Sequence, residues 1–223
     1  MTYIPLIVAL ILAIVDWIAA DKKLKLLEYV TKPGTMLALL WWIWSSVGLG
    51  GSMLWFTLGV IFCLAGDVFL MVPRDMFIFG LVAFLVGQIC YVIGFNDLTP
   101  YLNLWGLILI LILGIFVWWL YPKLVAGLMK KGIGGLKIPV LIYFLAISLM
   151  VYSALMTWTR PGWPVYTALS VSLGSILFYA SDSTLGWDRF INQISHARLK
   201  TMVTYHLGQL GIILGAILHI TLK

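Results

Sequence analysis

The sequence predicts an all-α, polytopic membrane protein, and three observations carry that prediction. Of the 223 residues, 63% are hydrophobic and only 10% charged, which leaves a mean hydropathy of +1.08. The apolar residues fall in runs close to the ~20 residues needed to cross a bilayer core. Lys and Arg gather in every second connection between those runs, the asymmetry that sets orientation in a membrane. A single transmembrane domain over 1–223 follows, with no room for a separate soluble one.

Eight spans are expected, in chain order. The first, 3–20, has no basic leader and carries Asp16 near its far end, so it reads as a retained helix rather than a cleaved signal. The second, 34–49, is preceded by Thr31-Lys32-Pro33-Gly34, a helix start in which proline suits the first helical position. A pairing of Asp16 with Lys32 is expected where these two spans meet. The third and fourth, 52–72 and 76–95, hold the two cysteines, Cys63 and Cys90. Inside spans these indicate neither a disulfide framework nor a metal cluster. Spans at 101–121, 137–158, 163–183 and 201–222 complete the set.

Connections on one side carry twelve basic residues, among them Lys22, Lys32, Arg74, Lys131, Arg189 and Arg198, and the other side only Arg160 and Lys223. The basic side is expected to be cytoplasmic, with both termini outward. The net charge of +6 therefore reports topology, not a nucleic-acid partner. A compact chain of this kind suits a bacterial inner membrane.

A weak internal repeat accompanies this pattern. Ala65-Gly66-Asp67 with Leu70 and Arg74 is echoed by Ala180-Ser181-Asp182 with Leu185 and Arg189. Phe84, Gly87 and Gln88 are echoed by Tyr205, Gly208 and Gln209. Two four-helix halves, 1–99 and 100–223, would bring Asp67 and Asp182 to opposite walls of one cavity.

The two aspartates are the candidates for chemistry. An ionisable side chain within a span is costly enough to mark a functional site by default. Two carboxyl groups in differently polar surroundings suit an acid/base pair, one protonated and one ionised; the bland alternative is helix packing through Lys32 or Arg74. Tyr179, Gln88, Tyr91, His206 and Gln209 are candidates to contact a substrate or water. Gly208, Gly211 and Gly215 form a small-residue stripe suited to close packing, and His219 reads as interfacial. The histidines at 196, 206 and 219 are not helical neighbours, and the chain lacks HExxH, GxSxG and P-loop signatures. No metal or other cofactor is expected.

Taken together, Lys32-Pro33, LAGDVFLMVPRDMF at 64–77, FLVGQICY at 84–91, YASDSTLGWDRF at 179–190 and YHLGQL at 205–210 resemble the YhhN-like lysoplasmalogenase family. The resemblance runs from Lys32 nearly to the C-terminus. It implies an eight-helix membrane hydrolase that cleaves the vinyl ether bond of lysoplasmalogens, releasing a fatty aldehyde and a glycerophospho-ethanolamine or -choline. It implies catalysis by Asp67 and Asp182, and a lysophospholipid held by Lys32, Arg74 and Arg189 at its phosphate, with surrounding membrane lipid. A proton-coupled carrier, or a lysolipid-binding protein without catalysis, is the alternative that the buried carboxyl groups leave open. Oligomeric state is not legible.

Overall fold

The computed structural model describes residues 3–72, 76–96 and 103–222. Among these residues the structure is all-helical, with eight α-helices linked by short turns. They are α1 (Ile4–Lys22), α2 (Lys25–Val47), α3 (Leu54–Met71), α4 (Phe77–Asn96), α5 (Leu104–Lys130), α6 (Lys137–Leu155), α7 (Val165–Phe190) and α8 (Ala197–Thr221). Helices α1, α3, α4, α5, α6 and α8, with their flanking turns, are long and apolar enough to cross a membrane. The other two, α2 and α7, carry more polar residues. Lys25, Glu28 and Lys32 lie in α2, and Asp182, Asp188 and Arg189 in α7.

The largest departure from expectation is the start of α2. The helix begins at Lys25, so Pro33 lies inside it and not at its first turn. Proline removes one backbone N–H from the ladder. The hydroxyls of Thr31 and Thr35 donate back to the Leu27 and Thr31 carbonyls at 3.0 and 2.9 Å. Because the helix runs on through this region, Thr31 and Lys32 project about 100° apart, toward different neighbours. Thr31 shares its one hydroxyl proton between the Leu27 carbonyl and Asp16 Oδ1, the latter at 2.7 Å, while Lys32 reaches α3. The expected Asp16–Lys32 pairing is thus replaced by two separate contacts. Helix α7 also outruns its expected end, through Phe190.

The closest-packed pairs are α7 with α8, α3 with α4 and α1 with α2. The α7–α8 seam depends on glycine. A Cβ on Gly174 would lie 2.5 Å from the Ile212 backbone nitrogen, and one on Gly208 2.8 Å from that of Phe178. The stripe expected to be structural therefore packs backbone on backbone, and Ser170 donates across it to the Gly211 carbonyl at 2.8 Å. His219 is buried within the bundle, stacked on Trp163 with ring centroids 3.8 Å apart.

Basic helix ends gather at one end of the bundle. Asp21 at the end of α1 bonds His196 before α8 at 2.7 Å, and Arg198 pairs with the buried Glu28. Lys131 donates to the Arg189 carbonyl at 2.5 Å. This is the end at which the basic connections of the sequence lie.

Candidate active site

Asp67 lies one turn before the end of α3 and is fully buried. A carboxylate so enclosed requires partners, and two are present. Lys32 Nζ of α2 stands 2.9 Å from Oδ1, and the Tyr205 hydroxyl of α8 donates to Oδ2 at 2.7 Å. The ammonium group also lies 5.7 Å from the Tyr205 ring centroid. Lys32 is itself buried, so its charge is committed to the interior.

Asp182 has a different setting. It is half-buried on α7, and its Oδ2 accepts a hydrogen bond from the Tyr143 hydroxyl of α6. It lines a small cavity of about 40 Å³ between α3, α4, α6 and α7. The walls are apolar, including Leu70, Phe77, Leu81, Phe84 and Phe144; Tyr143, Asp182 and Arg189 supply the polar groups. The Arg189 guanidinium stacks on Phe77, 4.2 Å from its centroid. Asp67 and Lys32 lie near enough for their charges to act on Asp182. The two aspartates thus share one neighbourhood, but Asp182 alone of the pair lines the cavity.

Around them stand buried polar groups with unused hydrogen-bonding capacity. Gln88 is fully buried beside the Tyr143 hydroxyl, and neither atom of its amide makes a hydrogen bond among the described residues. Tyr91 donates to Gln209 Oε1 at 2.6 Å, and the Gln209 amide nitrogen makes no hydrogen bond among the described residues. Trp17 donates to His206 Nδ1 at 3.2 Å. The proton of a neutral His206 is therefore on Nε2, which has no partner among the described residues.

Other expected site residues fall elsewhere. The Tyr179 hydroxyl meets Ser148 Oγ at 2.8 Å, and its ring packs on Phe116 and on the cavity-wall residue Phe144 without itself lining the cavity. Arg74 lies outside the described residues. Among the described residues, no group of three His, Cys, Asp or Glu side chains is arranged to hold a metal ion.

Sequence reasoning missed Tyr143, Tyr205 as a carboxylate partner, and Trp17. Tyr205 had a signal in its place beside His206 in the YHLGQL stretch. Tyr143, one of ten tyrosines, had none.

Comparison with known proteins adds an independent line. A family model described as the YhhN family matches residues 27–216. The chain is 32% identical to a Mus musculus protein named lysoplasmalogenase TMEM86B over 220 residues, 98% of this chain and 88% of the relative. It is 31% identical to the Rattus norvegicus protein of the same name over 216 residues, 96% and 82% of the two chains. A Mycobacterium bovis protein named lysoplasmalogenase is 29% identical over 152 residues, 64% of this chain and 52% of that protein. No solved structure matches the chain.

Proposed function

The chain belongs to the YhhN family, and on that premise we propose that it is an integral-membrane lysoplasmalogenase, which hydrolyses the vinyl ether bond of a lysoplasmalogen to a fatty aldehyde and a glycerophospho-ethanolamine or -choline. The observation that carries the reading is Asp182, a carboxyl group at an apolar cavity whose lining also includes Arg189. The apolar walls suit the alkenyl end of the substrate, the guanidinium suits its phosphate, and the carboxyl lies on the same cavity.

The chemistry needs a proton donor, a stabiliser of positive charge and water. Protonation of the vinyl ether β-carbon uses the C=C electrons to form a C–H bond and leaves an oxocarbenium ion. A carboxylate stabilises that cation, as in glycoside hydrolysis. Water then adds, giving up a proton to the carboxylate, and the hemiacetal collapses to aldehyde and alcohol. Asp67 and Asp182 divide the carboxyl roles, and Gln88, His206 and Gln209, with polar atoms that make no hydrogen bond among the described residues, hold the water and the glycerol oxygens. Arg189 and Arg74 take the phosphate, while Lys32 balances the charge of Asp67.

Helices α2 and α7 are read as crossing the bilayer with the other six, because each packs between spanning neighbours, α2 against α1, α3 and α8, and α7 against α6 and α8. Both termini then face outward, and the cavity opens toward the cytoplasmic leaflet. The test is aldehyde release from an alkenyl lysophospholipid by detergent-purified protein, beside Asp67→Asn and Asp182→Asn. Losses of about 10²-fold or more in both variants, the scale of a missing acid/base group, are expected. Wild-type protein that is folded and releases no aldehyde overturns the reading.

A further inference from the structure

The two aspartates are not equivalent, and their differences identify a residue that the sequence reading did not single out. Asp67 is fully enclosed and neutralised by the Lys32 ammonium group at 2.9 Å. Asp182 lines the cavity, and among the described residues its hydrogen-bond partner is a neutral hydroxyl, that of Tyr143. Tyr143 lines the same cavity, is 5% exposed, and has the amide of Gln88 at its side. Its ring is set edge-on to Phe144 with centroids 6.2 Å apart, and its hydroxyl is directed at Asp182.

We infer that Tyr143 is a positioning residue for the vinyl ether reaction: its hydroxyl fixes one carboxyl oxygen of Asp182, turning the other toward the substrate, so that Asp182 is the group that delivers the proton. The inference rests on the hydrolase reading above. In the step it serves, protonated Asp182 gives its proton to the β-carbon as the C=C electrons form the new C–H bond. The resulting carboxylate faces the oxocarbenium ion, and the incoming water returns a proton to it as the new C–O bond forms. Atoms and charge balance within one turnover, and no other reactant is required. Asp67, held by Lys32 and Tyr205, keeps its negative charge throughout and opposes the transient cation from behind.

The geometry also explains the need for a donor. A carboxyl group on a helix can rotate about two bonds, and a misplacement of about 1 Å at a reacting centre costs on the order of 10²-fold in rate. One hydrogen bond from a packed ring removes that freedom without adding a charge that would hold the proton away.

The experiment compares wild type, Tyr143→Phe, Asp182→Asn and the double variant, with Tyr205→Phe as the matching change at the other carboxyl. Tyr143→Phe keeps the ring and removes only the oxygen. We expect kcat to fall about 10- to 100-fold with KM within about threefold, since the interaction matters in the transition state. The double variant should be no slower than Asp182→Asn alone, because both changes remove one working unit. Infrared spectra of the resting proteins give a readout independent of turnover. The carboxyl band that disappears in Asp182→Asn should shift in Tyr143→Phe and stay in place in Tyr205→Phe.

An unchanged kcat in Tyr143→Phe, or an unmoved band, overturns the role of Tyr143 while the hydrolase reading stands. Additive losses in the double variant overturn it equally. A folded wild-type protein without aldehyde release overturns the hydrolase reading and the role together, and a shifted band would then mark only a structural contact.

Discussion

Lys32 Nζ and Asp67 Oδ1 lie 2.9 Å apart with both side chains buried, joining α2 to α3 at the point where Tyr205 of α8 also arrives. Removing one member of a buried pair strands the other charge, at a cost of about 3–5 kcal/mol. Lys32→Met is therefore expected to lower the thermal unfolding midpoint in detergent sharply. Lys32→Met combined with Asp67→Asn, which leaves no charge behind, should recover much of the loss. A double variant as unstable as the single one would show that the pair is not what the single change disturbs.

Arg189 should separate binding from turnover. As a phosphate contact it makes the same interaction in the ground and transition states, so its loss raises KM and spares kcat. A charge-assisted hydrogen bond contributes about 1.5–3 kcal/mol, so Arg189→Gln should raise KM for an alkenyl lysophospholipid by about tenfold or more. Initial rates over a substrate series give the answer, and a fall in kcat at constant KM would remove Arg189 from the phosphate.

The α7–α8 seam leaves no space for a branched side chain. In Gly174→Val the added atoms meet the Ile212 backbone, which a Cβ already approaches to 2.5 Å. Overpacking costs about 1–3 kcal/mol when side chains can shift, and here the obstacle is backbone. Loss of folded yield, or a midpoint several degrees lower than wild type, is expected in size-exclusion and thermal-melt assays. Gly114→Ala, where a Cβ meets nothing within 4 Å, should melt like wild type.

Arg198 guards a buried acid. Its side chain is 46% exposed while that of Glu28 is 2% exposed, so Arg198→Ala leaves a carboxylate inside whose Oε1 already makes no hydrogen bond among the described residues. A stability loss of about 1–3 kcal/mol is expected, the cost of an unsatisfied buried polar group. Glu28→Gln in the same background should restore part of it, as read by the shift in melting midpoint.

Much of this site is visible in the sequence because polar atoms stand out against lipid-compatible runs. Asp67, Asp182, Gln88, His206 and Gln209 are conspicuous for that reason, and the structure buries or half-buries all five inside the bundle. Tyrosine is different. In a chain with 14% aromatic residues a tyrosine blends with its apolar neighbours, so Tyr143 and Tyr205 emerge only when helices α6 and α8 are set beside the aspartates. Tyr179 misled for the same reason in reverse: three residues before Asp182 on one helix, it nonetheless faces Ser148. Lys32 was legible as a charge and misread in its setting, because the following proline imitates a helix start when the eight residues before it look like a loop.

The Lys32–Asp67 pair has a consequence for how the chain enters the bilayer. Lysine and aspartate at the middle of a lone helix each oppose insertion by about 2.5–3.5 kcal/mol. Here they lie on consecutive helices joined by the short stretch 48–53. If α2 and α3 leave the insertion machinery as a hairpin, each charge is cancelled by the other before either meets lipid. The polar α2, weak as an independent insertion signal, would then depend on α3 for its passage. The same contact that completes the site would act first during biogenesis, as the device that carries α2 into the membrane.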